Sequence, residues 1–151
     1  MEINDKIKDF TLKGIDKNGK ERDFSFSEFK ENTVILYFYP KDNTPGCTIE
    51  AHDFRDNFNR LIDKAVVIGV SPDNIESHKK FQKDHSLNFI LLSDTDHSLA
   101  ETFGAWEEKS MMGKKLMGIN RSTFLIKNGV LEKKWNNVNP VGHINEVIEN
   151  I

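Results

Sequence analysis

The chain has 151 residues, 37% hydrophobic and 30% charged, which is ordinary for a folded soluble protein and excludes a disordered polypeptide. Its 21 basic and 24 acidic residues leave a net charge of −3, which argues against a nucleic-acid binder, and its apolar runs are far too short to span a bilayer. Cys47 is the single cysteine, so neither an intrachain disulfide nor a multi-cysteine metal site can form.

The length suits one domain over residues 1–151. Met1-Glu2-Ile3-Asn4-Asp5-Lys6 is charged and lacks an apolar core, so no signal peptide is expected. A lone free thiol fits a reducing compartment, and the expected location is cytoplasmic. Phe10-Thr11-Leu12 and Arg22-Asp23-Phe24-Ser25-Phe26 read as strands on either side of Asp16-Lys17-Asn18-Gly19, predicting an N-terminal β-hairpin. Ser27-Glu28-Phe29-Lys30 suits a single helical turn. Val34-Ile35-Leu36-Tyr37-Phe38-Tyr39 is an unbroken apolar run rich in β-branched and aromatic residues, the signature of a buried strand. After it, Ala51, Phe54, Phe58 and Leu61 recur at helical spacing and predict a helix from about Gly46 to Leu61. The same stripe, counted back, puts Cys47 on the first turn and directs it at the protein body.

Ala65–Val70 and Phe89–Leu92 read as two more buried strands, with a helix from about Asn74 to Asp84 between them carrying Ile75, His78 and Phe81 on one face. Ser93-Asp94-Thr95-Asp96 offers caps for a short helix over Ser98 to Phe103. Residues 107–118, with Lys109, Met111, Met112, Lys114 and Lys115, read as a mostly basic loop. Two strands follow, Ser122–Ile126 and Val130–Trp135, joined by Lys127-Asn128-Gly129, and a helix over about Gly142 to Ile148 closes the chain. Alternating buried strands and helices imply parallel βαβ units, hence an α/β protein with a central mixed sheet flanked by helices.

The chemistry gathers where the first buried strand gives way to its helix. The first N–H groups of a helix lack intrahelical partners and carry the positive end of the dipole, so the thiolate of a cysteine there is the form they stabilise. Pro40 and Pro45 stiffen the approach, and Gly46 lets the backbone come close to whatever binds. Thr44 either caps the helix or aims its hydroxyl into the same pocket. Asp94-x-Asp96-His97 lacks the glycine and distal glutamate of a calcium loop and reads as a helix cap. His78, His85 and His143 show no metal-ligand spacing among themselves, no phosphate loop is present, and neither metal nor cofactor is expected.

Pro40-x-x-x-Thr44-x-x-Cys47, within YFYPKDNTPGCTIEAHDFRD, resembles the active-site motif of the peroxiredoxins, and most closely the bacterioferritin-comigratory or peroxiredoxin Q subfamily. Gly118-Ile119-Asn120-Arg121-Ser122-Thr123-Phe124 is a second matching string, and the resemblance covers nearly the whole chain. It implies a thioredoxin-like fold with an N-terminal hairpin extension and a thiol-dependent peroxidase acting on hydrogen peroxide and organic hydroperoxides. By it, Cys47 is the nucleophile that becomes a sulfenic acid, Thr44 a hydrogen-bond donor, and Arg121 the cation beside the thiol. Glu50 holds the guanidinium, or is simply a first-turn acid favoured by the helix dipole, and Pro40 shields Cys47 from water. Many relatives carry a resolving cysteine five residues after the first; here that position is His52, expected to face solvent, and the following helix has no cysteine either. The chain therefore resembles a one-cysteine variant that depends on an external thiol (thioredoxin, glutaredoxin or a low-molecular-weight thiol), as a monomer or weak dimer. A peroxide sensor or holdase on the same fold is the alternative.

Overall fold

The computed structural model describes the backbone of residues 1–151 and every side chain except that of Met111. β1 (Thr11–Ile15) and β2 (Glu21–Ser25) pair as the expected hairpin. Its turn is held by Asp16, whose Oδ1 accepts from the amides of Asn18 and Lys20 at 2.8 and 2.9 Å. A 3-10 turn over Phe26–Phe29 leads into β3 (Thr33–Phe38), the first fully buried strand.

Seven strands make the main sheet, in the order β2-β1-β5-β4-β3-β8-β9. β4 (Val66–Ser71) lies parallel to β3 and to β5 (Ile90–Ser93), with α3 (Ile75–His85) as the crossover. β8 (Ser122–Lys127) runs antiparallel to β3 and β9 (Val130–Trp135) antiparallel to β8, while β1 runs antiparallel to β5. The sheet is mixed, as the order of elements predicted. Alternation along β3 divides the core: Ile35 and Tyr37 pack with Ala51, Phe54, Phe81, Ile144 and Val147 from the helices on one face. Val34, Leu36 and Phe38 pack on the other face with Phe26, Leu99 and Phe103. The helices on the first face are α1 (Pro45–Asp56), α3 and α5 (His143–Glu149), and α4 (Ser98–Phe103) covers the second.

Two expectations are corrected. The helix expected to run to Leu61 ends at Asp56 and restarts as α2 (Phe58–Leu61). The break falls at Asn57, whose φ of −98° and ψ of 14° leave the helical region, while its backbone N–H and its side-chain amide share the Asp53 carbonyl at 3.2 and 2.8 Å. Residues 107–118 are not a loop. They form a separate two-stranded sheet of β6 (Trp106–Met111) and β7 (Lys114–Ile119). The turn between them has φ of 51° at Met112 and 79° at Gly113, the two successive left-handed residues of a tight hairpin turn. Neither strand alternates apolar with polar residues, because β7 is exposed along most of its length.

Candidate active site

The site forms where β3 hands over to α1. Asp42 anchors the connecting segment. Its Oδ1 accepts from the Tyr39 hydroxyl at 2.6 Å, its Oδ2 accepts from Ser77 Oγ at 2.8 Å and meets His78 Nδ1 at 2.7 Å, and its amide donates to Asp73 Oδ2 at 2.8 Å. His78 is fully buried, its Nε2 lying 2.9 Å from the Leu92 carbonyl. Asp42, Asp73 and His78 are the ligand-type trio that comes together among the described residues, yet their oxygens and nitrogens are spent on one another and on this segment. The apolar stripe of α3 did signal that His78 points inward. Nothing in the sequence joined it to Asp42, because 36 residues separate them.

Thr44 is the N-cap residue of α1 by backbone, with φ −93° and ψ 155°, and its carbonyl accepts from the Thr48 amide at 2.9 Å. Its side chain does not cap the helix: the hydroxyl donates instead to the Lys41 carbonyl at 2.7 Å. Pro45 opens the helix, where its missing N–H costs nothing. Cys47 follows on the first turn, 2% exposed, packed in the core with Tyr37, Ala51 and Phe54. Pro40 is half-buried at the start of the segment.

Arg121 comes to Cys47 through the sheet. The β3–β8 register sets Phe38 opposite Ser122, so the residue before Ser122 stands beside the loop that leaves β3. One guanidinium nitrogen, Nη2, lies 3.4 Å from Cys47 Sγ, and Nη1 donates to Glu50 Oε1 at 2.8 Å. Sequence reasoning had all three residues, and the structure brings them together. It also explains Gly46: a Cβ there would lie 3.2 Å from Arg121 Nη2 and 3.6 Å from Pro140 Cγ. Pro140 borders Gly46 from the segment after β9, a neighbour that carries no sequence signal. That segment is tied to the site by the Val138 amide, which donates to the Arg121 carbonyl at 2.9 Å.

Burial pushes Glu50 up to about 7 from an ordinary 4.5, against the pull of Arg121, and Asp53 adds to the rise. Burial also opposes the charge on Arg121, but Glu50 and Cys47 outweigh it, and the guanidinium is held charged more firmly than usual. Tyr37 is pushed well above its ordinary range by burial, with Glu50 and Cys47 adding to the effect, so its phenol stays neutral. Its hydroxyl and Glu50 Oε2 are buried and take no hydrogen bond within the protein.

His52 does not face solvent as expected. It is half-buried between α1 and α3, with Nε2 2.9 Å from His85 Nδ1, because the end of α3 lies against that face of α1. Burial, and then Arg55 and His85, hold it below the usual histidine range.

A mixed sheet carrying a buried thiol at a helix start, beside an arginine and a carboxylate, defines a thioredoxin-fold thiol centre. Residues 3–134 match the model of the AhpC/TSA family. The chain is 47% identical to Peroxiredoxin Bcp of Bacillus subtilis, across 100% of this chain and 95% of that protein. It is also 47% identical to the putative peroxiredoxin bcp of Helicobacter pylori strain J99, covering 100% and 98% of the two chains. Among solved structures, a cysteine-to-serine mutant of Xylella fastidiosa PrxQ superposes with a TM-score of 0.90 at 33% identity, over 99% of this chain and 94% of that one. A similar mutant of Xanthomonas campestris Peroxiredoxin Q gives 0.87 at 33% identity, over 93% and 88%. The chain belongs to the AhpC/TSA family, in its bacterioferritin-comigratory or peroxiredoxin Q branch with a single cysteine, and is a thiol-dependent peroxidase. Peroxides are its substrates and thiols its reductants.

Proposed function

We propose that Cys47 is the peroxidatic residue and that Arg121, Glu50, Thr44 and Pro40 assemble its site, within one thioredoxin-like domain over residues 1–151. The observation that carries this reading is the bridge from Cys47 Sγ through the Arg121 guanidinium to Glu50, at 3.4 and 2.8 Å. The guanidinium stands against the sulfur and has a face to offer the peroxide. Thiolate sulfur attacks one peroxide oxygen; an S–O bond forms, the O–O bond breaks, and its electron pair leaves on the second oxygen. That oxygen departs as water or an alcohol after taking up a proton, and Cys47 is left as a sulfenic acid. Since the Thr44 proton is engaged with the Lys41 carbonyl, its hydroxyl serves the peroxide as an acceptor for the O–H, which orients the attacked oxygen.

Cys47 has no second cysteine in the chain. An external thiol therefore attacks the sulfenic sulfur, releases water and forms a mixed disulfide, which a second thiol resolves. The reductant is thioredoxin, glutaredoxin or a low-molecular-weight thiol. Alkyl hydroperoxides are included as substrates because the bacterioferritin comigratory protein of Xanthomonas campestris, a structural relative, has alkyl peroxide reduction activity. A cytoplasmic location and a monomer or weak dimer complete the proposal. Relatives named as peroxiredoxins favour an enzyme over a sensor or holdase.

The test is turnover of hydrogen peroxide and an alkyl hydroperoxide with each thiol donor, on wild type and Cys47→Ser. Multiple turnovers by wild type, with none by Cys47→Ser and the fold intact, are expected. Full turnover by Cys47→Ser would sink the assignment.

A further inference from the structure

α1 packs against the C-terminal end of α3 through two imidazoles that the peroxidase chemistry does not use. His52 Nε2 and His85 Nδ1 stand 2.9 Å apart, with ring centroids 4.9 Å apart. Both rings are half-buried and therefore reachable from solvent. On its far side, His85 Nε2 lies 2.8 Å from Asn43 Oδ1. The Asn43 amide nitrogen points to Asp84 Oδ2 at 3.4 Å, which leaves its oxygen for His85. An amide oxygen can only accept, so His85 carries its proton on Nε2 and turns the Nδ1 lone pair toward His52. A carbonyl oxygen holding the outer N–H of an imidazole is the usual outer support of a metal-binding histidine. A shift of the His52 proton to its Nδ1 turns a second lone pair into the same gap.

The charge around the pair is mixed. Asp53 and Asp56 flank His52 on α1, and Asp84 precedes His85 on α3. The opposing charges are Lys80, which pairs with Asp84 Oδ2 at 2.8 Å, and Arg55, which is committed to Asp56 Oδ1 and to the His85 carbonyl, at 2.8 and 2.7 Å. That second bond, with Asn88 Nδ2 donating to the Arg55 carbonyl at 3.3 Å, fixes the two backbones beside the pair.

We propose that His52 and His85 form a two-imidazole site for a borderline first-row divalent cation, zinc in particular, which staples the Cys47 helix to α3. Zinc–nitrogen bonds of about 2.0–2.1 Å at a tetrahedral angle need the nitrogens roughly 3.3 Å apart. The nitrogens therefore part by about 0.4 Å from their present spacing, each ring turns by roughly 35° to aim its lone pair at the ion, and water completes the coordination. The Asp42–Asp73–His78 trio differs in having its ligand atoms already committed within the fold.

The experiment is calorimetric titration of zinc chloride into Cys47→Ser protein, where no thiolate competes, and into the same protein carrying His52→Asn or His85→Asn. One saturable equivalent is expected, weakened at least ~10-fold by either histidine change. Copper(II) in place of zinc is expected to show nitrogen couplings in its paramagnetic resonance spectrum, lost with His52→Asn. Zinc should raise the unfolding midpoint of Cys47→Ser and leave that of the His52→Asn form unmoved. Should His85→Asn fail to fold, His52→Asn decides alone, since its side chain sits on a half-buried helix face. Unchanged affinity on removing His52, or no saturable binding up to ~1 mM zinc, overturns the site. None of these readings depends on peroxidase activity, so the fate of the metal site and that of the Cys47 assignment are separable.

Discussion

Arg121 serves two partners at once, and that decides which substitutions matter at the site. Its Nη1 is held by Glu50, which leaves Nη2 aimed at the sulfur at 3.4 Å. Lysine would offer one point charge in place of this fork and could not hold both partners in one plane. Arg121→Ala is expected to slow the reaction of Cys47 with peroxide about 100- to 1000-fold, the usual effect of removing a donor aimed at developing charge. Stopped-flow oxidation of the reduced protein measures it, and an unchanged rate would remove Arg121 from the chemistry. The residues of this bridge were legible in the sequence because the two strings that hold them resemble one family. Pro140 and His85 were not. Each reaches its neighbours through tertiary packing, with no periodicity or motif around it.

At the scale of elements, α1 carries the thiol, and aromatic packing holds α1 to the sheet. Phe54 stacks on Tyr37 with centroids 4.5 Å apart and meets Phe89 edge-on at 6.3 Å. Phe54→Ala should cost about 3–5 kcal/mol, read from denaturant midpoints, as befits a buried aromatic ring. A loss below about 1 kcal/mol would mean that α1 is held in some other way. Buried strands were easily read, since Val34–Phe38 and Phe124–Ile126 are unbroken apolar runs, buried on both faces of the sheet. The β6–β7 hairpin was missed for the opposite reason. It stands apart from the main sheet, and its strands bury too little to show an alternating pattern. The Met112-Gly113 turn was the available signal, and it is weaker than Asn128-Gly129, which was recognised and has φ of 50° and 76°. Helix continuation past Asp56 fails at one residue, Asn57, whose backbone leaves the helical region and whose side chain bonds back to Asp53 while the apolar spacing runs on.

For the molecule as a whole, the buried Glu50–Arg121 pair ties stability to pH. The folded pKa of Glu50 is raised from 4.5 to about 7, so the fold favours its protonated form. Its contribution to stability is therefore fully present below 4.5 and is lost as pH rises through about 7. Glu50→Gln, which keeps an acceptor for Arg121 and cannot titrate, should flatten that decline. The difference between the two proteins should approach about 3 kcal/mol by about pH 8, in urea unfolding followed across the range. Parallel pH profiles would show that burial does not govern Glu50. The centre itself is tested most directly by the rate at which the reduced protein loses its single thiol to hydrogen peroxide at neutral pH. The bridge among Cys47, Arg121 and Glu50 predicts a rate at least ~100-fold above that of free cysteine. A rate like that of free cysteine would contradict it, and would mean that the guanidinium and the helix start leave the sulfur no more reactive than in solution.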